Sequence, residues 1–373
     1  MSDPAYTLYK MDISYFSGKV EAYLHYKGIA HHKVTATAKV LDQIYQATGV
    51  KKVPAIACAD GRWLFDSTPM LEWLEQQHPE PVTKPDDPAL AFLAQLIEDY
   101  ADEWLWRPAM WWRWEPKASR HALGRRIAEE VRPPGVPTWL MSWFFPQRQR
   151  WTWLWGDGMN RQNSPRVRDL YREELAFLQA TLSHQPFLLG QQPSAADFGY
   201  FASMFRHFGN DPDPAEIMRR DAPAVYLWLA RLWAGVPAAS ATRPSWVWPE
   251  GQAWQVMLKR IQNDYLPYLS ANAEAFATGK KRFDFVGDSQ QFSGTVVHRY
   301  RVWCRERLQQ SARGLSPHDQ QRIANLLGDG NGWTDLTQGP MISSGLEGRY
   351  QLPIMPRQAK PQWRVALFGQ PRD

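Results

Sequence analysis

Hydroxyl-bearing residues cluster where the first helix should begin. The segment Ser14-Tyr15-Phe16-Ser17-Gly18-Lys19 follows a short β-prone run at residues 6–9. Backbone N–H groups converge at a helix N-terminus, and the helix dipole favours negative charge there. A serine hydroxyl in this place can stabilise an anion on a bound molecule, or it can simply cap the helix. Taken alone, the segment favours capping.

A proline marks the start of a later strand-like run, in Lys52-Val53-Pro54. Proline cannot donate to a sheet ladder, so it belongs at the first residue of a strand or on an edge. If the Val53–Pro54 bond is cis, the turn aims the Val53 backbone outward, where it could pair with an extended peptide. The alternative is a trans proline that starts an ordinary strand.

The segment Phe65-Asp66-Ser67-Thr68-Pro69 is typical of a helix start. Asp66 or Ser67 can act as the N-cap, and Pro69 suits the first helical turn. Free N–H groups at this end would bind a carboxylate, while the Asp66 side chain would attract an ammonium group. A ligand with both an α-carboxylate and an α-amino group would use both halves, whereas the alternative is capping alone.

An alternation of strands and helices positions these three segments. The predicted order is β-α-β-α-β-β-α, with a hairpin turn at residues 59–61. The predicted strands are residues 6–9, 29–37, 53–58 and 62–65, and the predicted helices are residues 19–28, 39–48 and 68–77. This order predicts a small mixed α/β domain.

Helical spacing dominates the chain after a Pro- and Asp-rich linker at residues 81–88. Pro267 predicts a kink or break in one of the helices. Two segments rich in Pro and Trp, residues 132–146 and 238–249, are expected to be irregular, and residues 328–373 permit little assignment. The predicted helices are residues 89–106, 167–183, 195–208, 222–234, 254–277 and 296–310.

The order of these motifs resembles the glutathione transferase family. Two further matches lie downstream, and one of them contains the Ser194/Asp197 capping box. The matching pieces are the segment from Ser14 to Gly28, Lys27-Gly28-Ile29, Val53-Pro54, Asp66-Ser67, Phe187-Leu-Leu-Gly190 and Pro193-Ser194-Ala-Ala-Asp197. The resemblance implies an α/β plus all-α architecture. Residues 1–81 would form a thioredoxin-like, glutathione-binding domain, and residues 88–240 an all-helical substrate domain. Residues 250–373 lie beyond the family pattern and are expected to form an extension that is helical, then irregular.

The resemblance also implies a role for the serine loop. Ser14 would donate a hydrogen bond to the glutathione sulfur and stabilise its thiolate, with Tyr15 and Ser17 as rivals for that role. Family members that act as thiol reductases carry cysteine in this loop, so the serines argue against disulfide exchange through a protein thiol. Cys58 falls inside a predicted strand and is expected to be a small buried residue.

By the same resemblance, glutathione would be held by the other two segments. Val53, before Pro54, would pair with the glutathione backbone, and Lys52 would assist at the glycyl carboxylate. Asp66 and Ser67 would hold the γ-glutamyl end. Glutathione is the expected co-substrate, and no metal is expected.

The 20 tryptophans of the chain suggest where a second substrate would bind. Several cluster at the end of the helix that faces the cleft in this family. We expect Trp104, Trp106, Met110 and Trp111 to form an aromatic wall for an apolar electrophile. Core packing and subunit contact are the alternative.

The predicted function is therefore conjugation of glutathione to a small hydrophobic electrophile, as in detoxification, by an enzyme that forms a homodimer. Two alternatives stay open. A glutathione-dependent isomerase or lyase would use the same thiolate, and a non-catalytic binding or assembly module would use only the fold.

Composition limits the remaining classes of protein. Lys and Arg number 43 against 38 Asp and Glu, with no basic block, which argues against a nucleic-acid partner. Two cysteines, Cys58 and Cys304, cannot build a disulfide framework, which indicates a reducing, cytoplasmic location. Neither a secretory signal nor an apolar run long enough to span a membrane is visible. The histidines lack a spacing typical of metal sites.

Overall fold

The computed structural model describes residues 5–132, 135–235 and 245–359. The N-terminal part is a four-stranded sheet with three helices, in the predicted order. Its elements are β1 (Tyr6–Lys10), α1 (Tyr15–Tyr26), β2 (His31–Thr35), α2 (Ala38–Thr48), β3 (Ala55–Cys58), β4 (Trp63–Phe65) and α3 (Ser67–Gln77). The spatial order is β2-β1-β3-β4, with β2 parallel and β3 antiparallel to β1. The thioredoxin-like domain is thereby confirmed.

The first helix begins four residues earlier than the spacing predicts. Ser14 is its N-cap, so Tyr15 and Phe16 are helical rather than part of a turn. Gly18, which reads as a turn residue in the sequence, lies inside the helix. A Cβ at Gly18 would approach the Arg206 Cγ to 2.5 Å, so the glycine permits close packing of α1 against the helical domain.

Helices make up the second part, as predicted. They are α4 (Pro88–Glu103), α5 (Trp106–Trp114), α6 (Lys117–Val131), α7 (Thr138–Gln149), α8 (Ser164–Leu182), α9 (Ala195–Ser203), α10 (Pro212–Asp221) and α11 (Pro223–Ala234). Two wide-turn (π) segments extend this set, at residues 150–154 after α7 and at residues 204–208 after α9.

The expectation of irregular structure at residues 132–146 is wrong, because α7 occupies most of that segment. Pro137 stands just before the first helical residue, where the lack of an N–H has little consequence. Pro146 lies inside the helix and packs against Gly124 of α6, where a Cβ would come within 2.7 Å of the proline ring. A close α6–α7 contact therefore accommodates the proline.

The C-terminal extension is more ordered than expected. Its elements are α12 (Gln252–Arg260), a π segment at residues 261–265, α13 (Leu266–Ala277), β5 (Arg282–Val286), β6 (Gln291–Val296), α14 (Arg299–Arg313), α15 (Pro317–Leu327) and α16 (Gly332–Gln338). The break near Pro267 is confirmed as this π segment. The sequence reading missed the β5–β6 hairpin, which buries Phe285 and Phe292 against the helices.

The extension packs back on both other parts of the chain. Arg322 of α15 forms an ion pair with Asp87 before α4, and Ile354 forms a β-bridge with Trp63 at the sheet edge. The predicted domain limits stay predictions. The limit at residue 240 and the end of the extension, residues 360–373, lie outside the described residues. Within those residues, no helix combines the length and apolar character needed to cross a membrane.

Candidate functional site

A cavity of about 800 Å³ lies where the three parts of the chain meet. Its floor comes from the N-terminal domain, its wall from α5, α6, α7 and the segment that follows α7, and its roof from the extension. The floor includes Ser14, Tyr15, Lys52, Val53, Pro54, Asp66 and Ser67. The roof consists of His298, Tyr300, Arg301, Arg349 and Tyr350. The cavity therefore brings together the serine loop, the Val53-Pro54 segment and the start of α3, which lie apart in the sequence.

Ser14 lies at the cavity surface and caps α1. Its Oγ accepts a hydrogen bond from the Ser17 backbone N–H at 3.4 Å. A hydroxyl can also donate, and no acceptor among the described residues takes the Ser14 proton. Ser14 therefore combines a free donor with a helix N-terminus, which suits an anionic ligand atom.

The two rivals of Ser14 are placed less favourably. The Tyr15 hydroxyl donates to the Ala101 carbonyl oxygen at 2.7 Å, inside the protein, and burial raises the pKa of this phenol well above its usual value. Ser17 is fully buried, does not line the cavity, and its Oγ accepts from the Met11 N–H at 3.4 Å. The geometry favours Ser14 as the residue that faces a ligand.

The Val53–Pro54 peptide bond is cis, as the outward-facing alternative required. Val53 and Pro54 line the cavity together with Lys52, which is exposed. β3 begins at the next residue, so this segment leads from the cavity directly into an inner strand of the sheet.

The start of α3 presents its backbone to the same space. Asp66 is the N-cap residue with a φ of 69°, and its side chain makes no capping hydrogen bond. The carboxylate instead accepts a hydrogen bond from the Tyr300 hydroxyl at 3.0 Å. Burial raises the pKa of Asp66, while the Tyr300 hydrogen bond and the Lys52 charge lower it. Since no side chain caps α3, its N–H groups stay available to a ligand at Ser67.

The aromatic wall is only partly the one expected. Trp106 and Met110 line the cavity, but Trp104 and Trp111 do not. Trp104 is buried against Tyr265, Tyr268 and Phe292 of the extension. The Trp111 Nε1–H donates to the Ser164 Oγ at 2.6 Å on the far side of α5. The predicted helix at residues 89–106 breaks after Glu103. Because of this break, Trp104 packs in the core whereas Trp106 lines the cavity.

Most of the wall was missed in the sequence. It is apolar and comes from α6, α7 and the segments on either side of α7, of which residues 132–146 were expected to be irregular. The missed wall residues are Ile127, Val131, Val136, Leu140, Met141, Phe144, Phe145 and Trp153. The signal was present as apolar pairs three and four residues apart at 140, 141, 144 and 145, but the flanking prolines masked it.

Buried charges hold the cavity in shape. Below the floor, Lys19 lies 2.5 Å from both the Glu98 and the Asp102 carboxylates of α4. Burial alone would lower the pKa of Lys19, but the two carboxylates raise it. At the wall, the Arg113 guanidinium pairs with Asp211 at 2.7 Å and donates to the Ile13 carbonyl oxygen at 2.8 Å.

His207 lines the cavity and Cys58 lies outside its lining, and the pKa shifts of both groups disfavour the charged form near pH 7. His207 is buried beside Tyr15, and burial together with the Arg113 charge lowers its pKa well below the usual value. Cys58 lies in β3 as expected but is only partly buried, and desolvation raises the pKa of its thiol to about 11. Within the described parts of the chain, no cluster of His, Cys, Asp and Glu has a composition that could hold a metal ion.

The capping box in front of α9 is confirmed. The Asp197 carboxylate accepts from the Ser194 N–H and the Leu188 N–H, both at 2.9 Å, and from the Trp228 indole N–H at 3.1 Å. Burial raises the pKa of Asp197 to about 6. This motif fixes the helical domain and takes no part in the cavity.

Comparisons with known proteins agree with this architecture. Residues 8–82 match the family model described as glutathione S-transferase, N-terminal domain, and residues 161–231 match glutathione S-transferase, C-terminal domain. The floor lies in the first match. The wall helices α5–α7 and the extension lie outside both.

Individual relatives are distant. The chain is 25% identical over 215 residues to an isoprene-epoxide–glutathione S-transferase of Rhodococcus sp. (strain AD45), with 54% of this chain and 82% of that protein covered.

Solved structures were also compared. One is a glutathione S-transferase from Rhodospirillum rubrum F11, with 16% identity, 60% of this chain and 86% of that chain covered, and a TM-score of 0.42. Another is a beta-etherase from Sphingobium sp. strain SYK-6, with 22% identity, 61% and 94% coverage, and a TM-score of 0.43. At these scores neither structure bears on the function. The two family matches and the sheet topology show that residues 8–82 and 161–231 are the N-terminal and C-terminal domains of the glutathione S-transferase family.

Proposed function

We propose that this protein transfers the thiolate of glutathione to an apolar electrophile. The observation that carries the proposal is the division of one cavity into a polar floor and an apolar wall. Ser14, at a helix N-terminus, lies between these two environments. A polar, zwitterionic thiol and an apolar second substrate would each find a matching surface there.

Ser14 acts on the thiol through its free proton. A thiol of ordinary pKa, about 8.5, is only a few per cent thiolate at pH 7. Hydrogen bonding to the anionic sulfur and the α1 dipole both lower that pKa, so the reactive fraction rises. Ser14 itself is neither base nor nucleophile. The thiol proton leaves to solvent, the sulfur electron pair forms the new C–S bond, and the electrophile's leaving group or ring oxygen departs with its electrons.

The rest of the floor holds the tripeptide. The Asp66 carboxylate pairs with the γ-glutamyl ammonium group, and the N–H groups at Ser67 donate hydrogen bonds to the adjacent carboxylate. The Val53 backbone pairs with the peptide as a short strand would, and Lys52 lies near enough to attract the glycyl carboxylate. These placements require an extended ligand along the floor.

The wall selects the second substrate. Its side chains are mainly Trp, Phe, Leu, Met and Ile, so an electrophile with an apolar body would be desolvated on them. The Rhodococcus relative is named for an epoxide of an alkene, which makes small apolar epoxides reasonable members of a test panel alongside aromatic halides. Homodimer formation, a cytoplasmic location and a role in detoxification stay predictions.

Calorimetric titration with glutathione, followed by conjugation assays with an aromatic halide and an alkene epoxide, tests the proposal. We expect binding at or below millimolar glutathione and turnover of at least one electrophile, with the thioether identified by mass spectrometry. Binding without any conjugation would favour the isomerase or lyase alternative, or a binding module. Absence of glutathione binding would overturn the proposal.

A further inference from the structure

Among the residues that the structure describes, four tryptophans are exposed, and all four lie in the segment that contains α7. The exposed fractions are 73% for Trp139, 63% for Trp143, 66% for Trp151 and 47% for Trp155. We call these four residues the tryptophan strip. Exposure of one large apolar side chain is ordinary, but a contiguous exposed set marks an interaction surface.

The members of the strip lie on successive turns of a helical stretch that runs from α7 through the π segment at residues 150–154 to a short 3-10 turn at residues 155–157. Trp139 and Trp143 are four residues apart in α7, so their side chains are neighbours on one face. Trp151 and Trp155 are also four residues apart, and their ring centroids are separated by 5.9 Å. Trp143 and Trp151 are eight positions apart, a little more than two α-helical turns, and all four rings are exposed, so both pairs face solvent.

The segment that carries the strip is basic. Residues 115–161 contain eight Lys or Arg against four Asp or Glu, a net charge of +4 in a chain whose total is +5. The surface acids of this segment are neutralised locally, because Glu115 pairs with Arg150 and Glu129 pairs with Arg125. Arg132 and Arg161 are exposed, and neither forms an ion pair with an acid among the described residues.

The other side of α7 forms the wall of the cavity. Met141, Phe144 and Phe145 line it, and Leu140 both lines it and is 39% exposed. Leu140 directly follows Trp139. The strip therefore adjoins an edge of the same cavity that holds the proposed electrophile site.

We infer that the tryptophan strip docks this protein on the surface of an anionic lipid bilayer. Tryptophan is enriched at membrane–water interfaces, and amphipathic helices that lie in the interface combine such an apolar face with flanking Lys and Arg. Anionic headgroups attract a basic surface of this kind. A second copy of this chain is a poorer occupant, because a two-fold interface would place the two basic segments against each other.

Docking would bring the edge of the cavity to the headgroup region. An apolar electrophile dissolved in the bilayer could then reach the wall without crossing water. This consequence rests on the proposed function, whereas the binding to lipid does not, so the two can fail separately.

Co-sedimentation with vesicles tests the inference on the full chain. Vesicles of phosphatidylcholine alone are compared with vesicles that also contain phosphatidylglycerol, at low and high salt. We expect binding to the anionic vesicles that weakens with salt. The double variant Trp139→Gln/Trp143→Gln should reduce the partition coefficient by about tenfold or more, because two apolar rings no longer enter the interface. Arg132→Gln/Arg161→Gln should reduce it by about fivefold for each arginine, on the anionic vesicles only.

The matched control is Tyr226→Gln/Leu227→Gln on α11, where two exposed apolar residues are replaced away from the strip. This variant should bind vesicles as the wild type does, and circular dichroism should show all variants folded. Loss of binding in the control as much as in the tryptophan variant would overturn the inference. So would absence of vesicle binding by the wild type. Concentration-dependent self-association in sedimentation velocity, abolished by the tryptophan variant and without lipid binding, would show that the strip joins two copies instead.

Discussion

The floor and the roof of the cavity are built in opposite ways. The floor comes from four short segments within residues 11–67, each at or near a helix start or a strand start. The roof comes from α14 and from residues 349–350, and its contact between Tyr300 and Asp66 joins residues 234 positions apart. The comparison teaches that local backbone geometry creates the binding groups, whereas long-range packing decides how they are covered.

The two surfaces also rest on different buried ion clusters. Under the floor, Lys19 faces two carboxylates of α4. In the roof, Arg301 pairs with Asp157 at 2.8 Å and with Glu103 at 3.0 Å. Asp157 has a second cationic neighbour, because Arg107 lies 3.3 Å away. The floor cluster depends on one cation, Lys19, whereas the roof cluster contains a second cation, Arg107, beside Asp157.

The largest expected effect comes from removing the single cation under the floor. Lys19→Met should lower the free energy of unfolding by about 3–5 kcal/mol, because two buried carboxylates lose their partner. Arg301→Met should cost less, since Arg107 still compensates Asp157. Urea unfolding of both variants beside the wild type measures the difference. An Arg301 variant as unstable as the Lys19 variant would remove this distinction between floor and roof.

The sequence predicted the floor well for a physical reason. Helix caps, a strand-initiating proline and alternating strands are local signals, and Ser14, Val53-Pro54 and Asp66-Ser67 all express them within a few residues. Even in the floor, the predicted start of α1 was four residues too late because of Gly18. It reads as a turn residue, and its reason for being in a helix is the contact with Arg206, which no local pattern shows.

The wall and roof could not be predicted to the same extent. α14 was expected as a helix, but nothing in its sequence indicates that Tyr300 reaches Asp66. Trp104 and Trp106 are two residues apart, and only the break between α4 and α5 sends one into the core and the other to the cavity. In α7, the presence of Pro137 and Pro146 led to a prediction of irregular structure, although the apolar periodicity was that of a helix.

The next largest effect tests the polar end of the floor. Ser14→Ala should lower kcat/KM for conjugation by about a hundredfold, because one donor to a developing thiolate is lost. The thiolate absorbance of bound glutathione should titrate at higher pH in this variant.

Two matched variants separate Ser14 from its rivals. Ser17→Ala removes a hydroxyl outside the cavity, and Tyr15→Phe removes one that is bonded to the Ala101 carbonyl oxygen. Both should keep the thiolate titration of the wild type. If either shifts it as far as Ser14→Ala does, the thiolate is stabilised by that residue and not by Ser14.

A smaller effect tests whether the roof assists the floor. Tyr300→Phe removes the hydrogen bond to Asp66 and should raise KM for glutathione about tenfold with kcat little changed, because a bond to a charged group is lost. Steady-state kinetics at varied glutathione gives both constants, and Tyr226→Phe, at an exposed tyrosine of α11, is the control. A fall in KM would mean that Tyr300 obstructs the ligand and that the roof opens on binding.

The smallest effect concerns acid, to which floor and roof should respond differently. The floor rests on a neutral imidazole: His207 is buried with its ring centroid 5.2 Å from that of Tyr15, and burial, aided by the Arg113 charge, holds its pKa well below the usual 6.5. The unfolded chain binds a proton below pH 6.5 that the folded chain does not. From this group, the free energy of unfolding therefore decreases by about 1.4 kcal/mol for each pH unit that the pH is lowered below 6.5. Above pH 6.5 the group contributes no pH dependence.

Buried carboxyls with raised pKa values, such as Asp99 at about 7, act in the opposite direction, so a single stability profile mixes the two. The difference between the wild type and His207→Phe cancels the carboxyls, because both proteins retain them. Urea unfolding from pH 7.5 to 5 should show the variant gaining on the wild type as pH falls below about 6.5. Parallel stability profiles of the two proteins would mean that His207 becomes protonated in the folded protein. The floor would then tolerate a buried positive charge, as the roof does with Arg301.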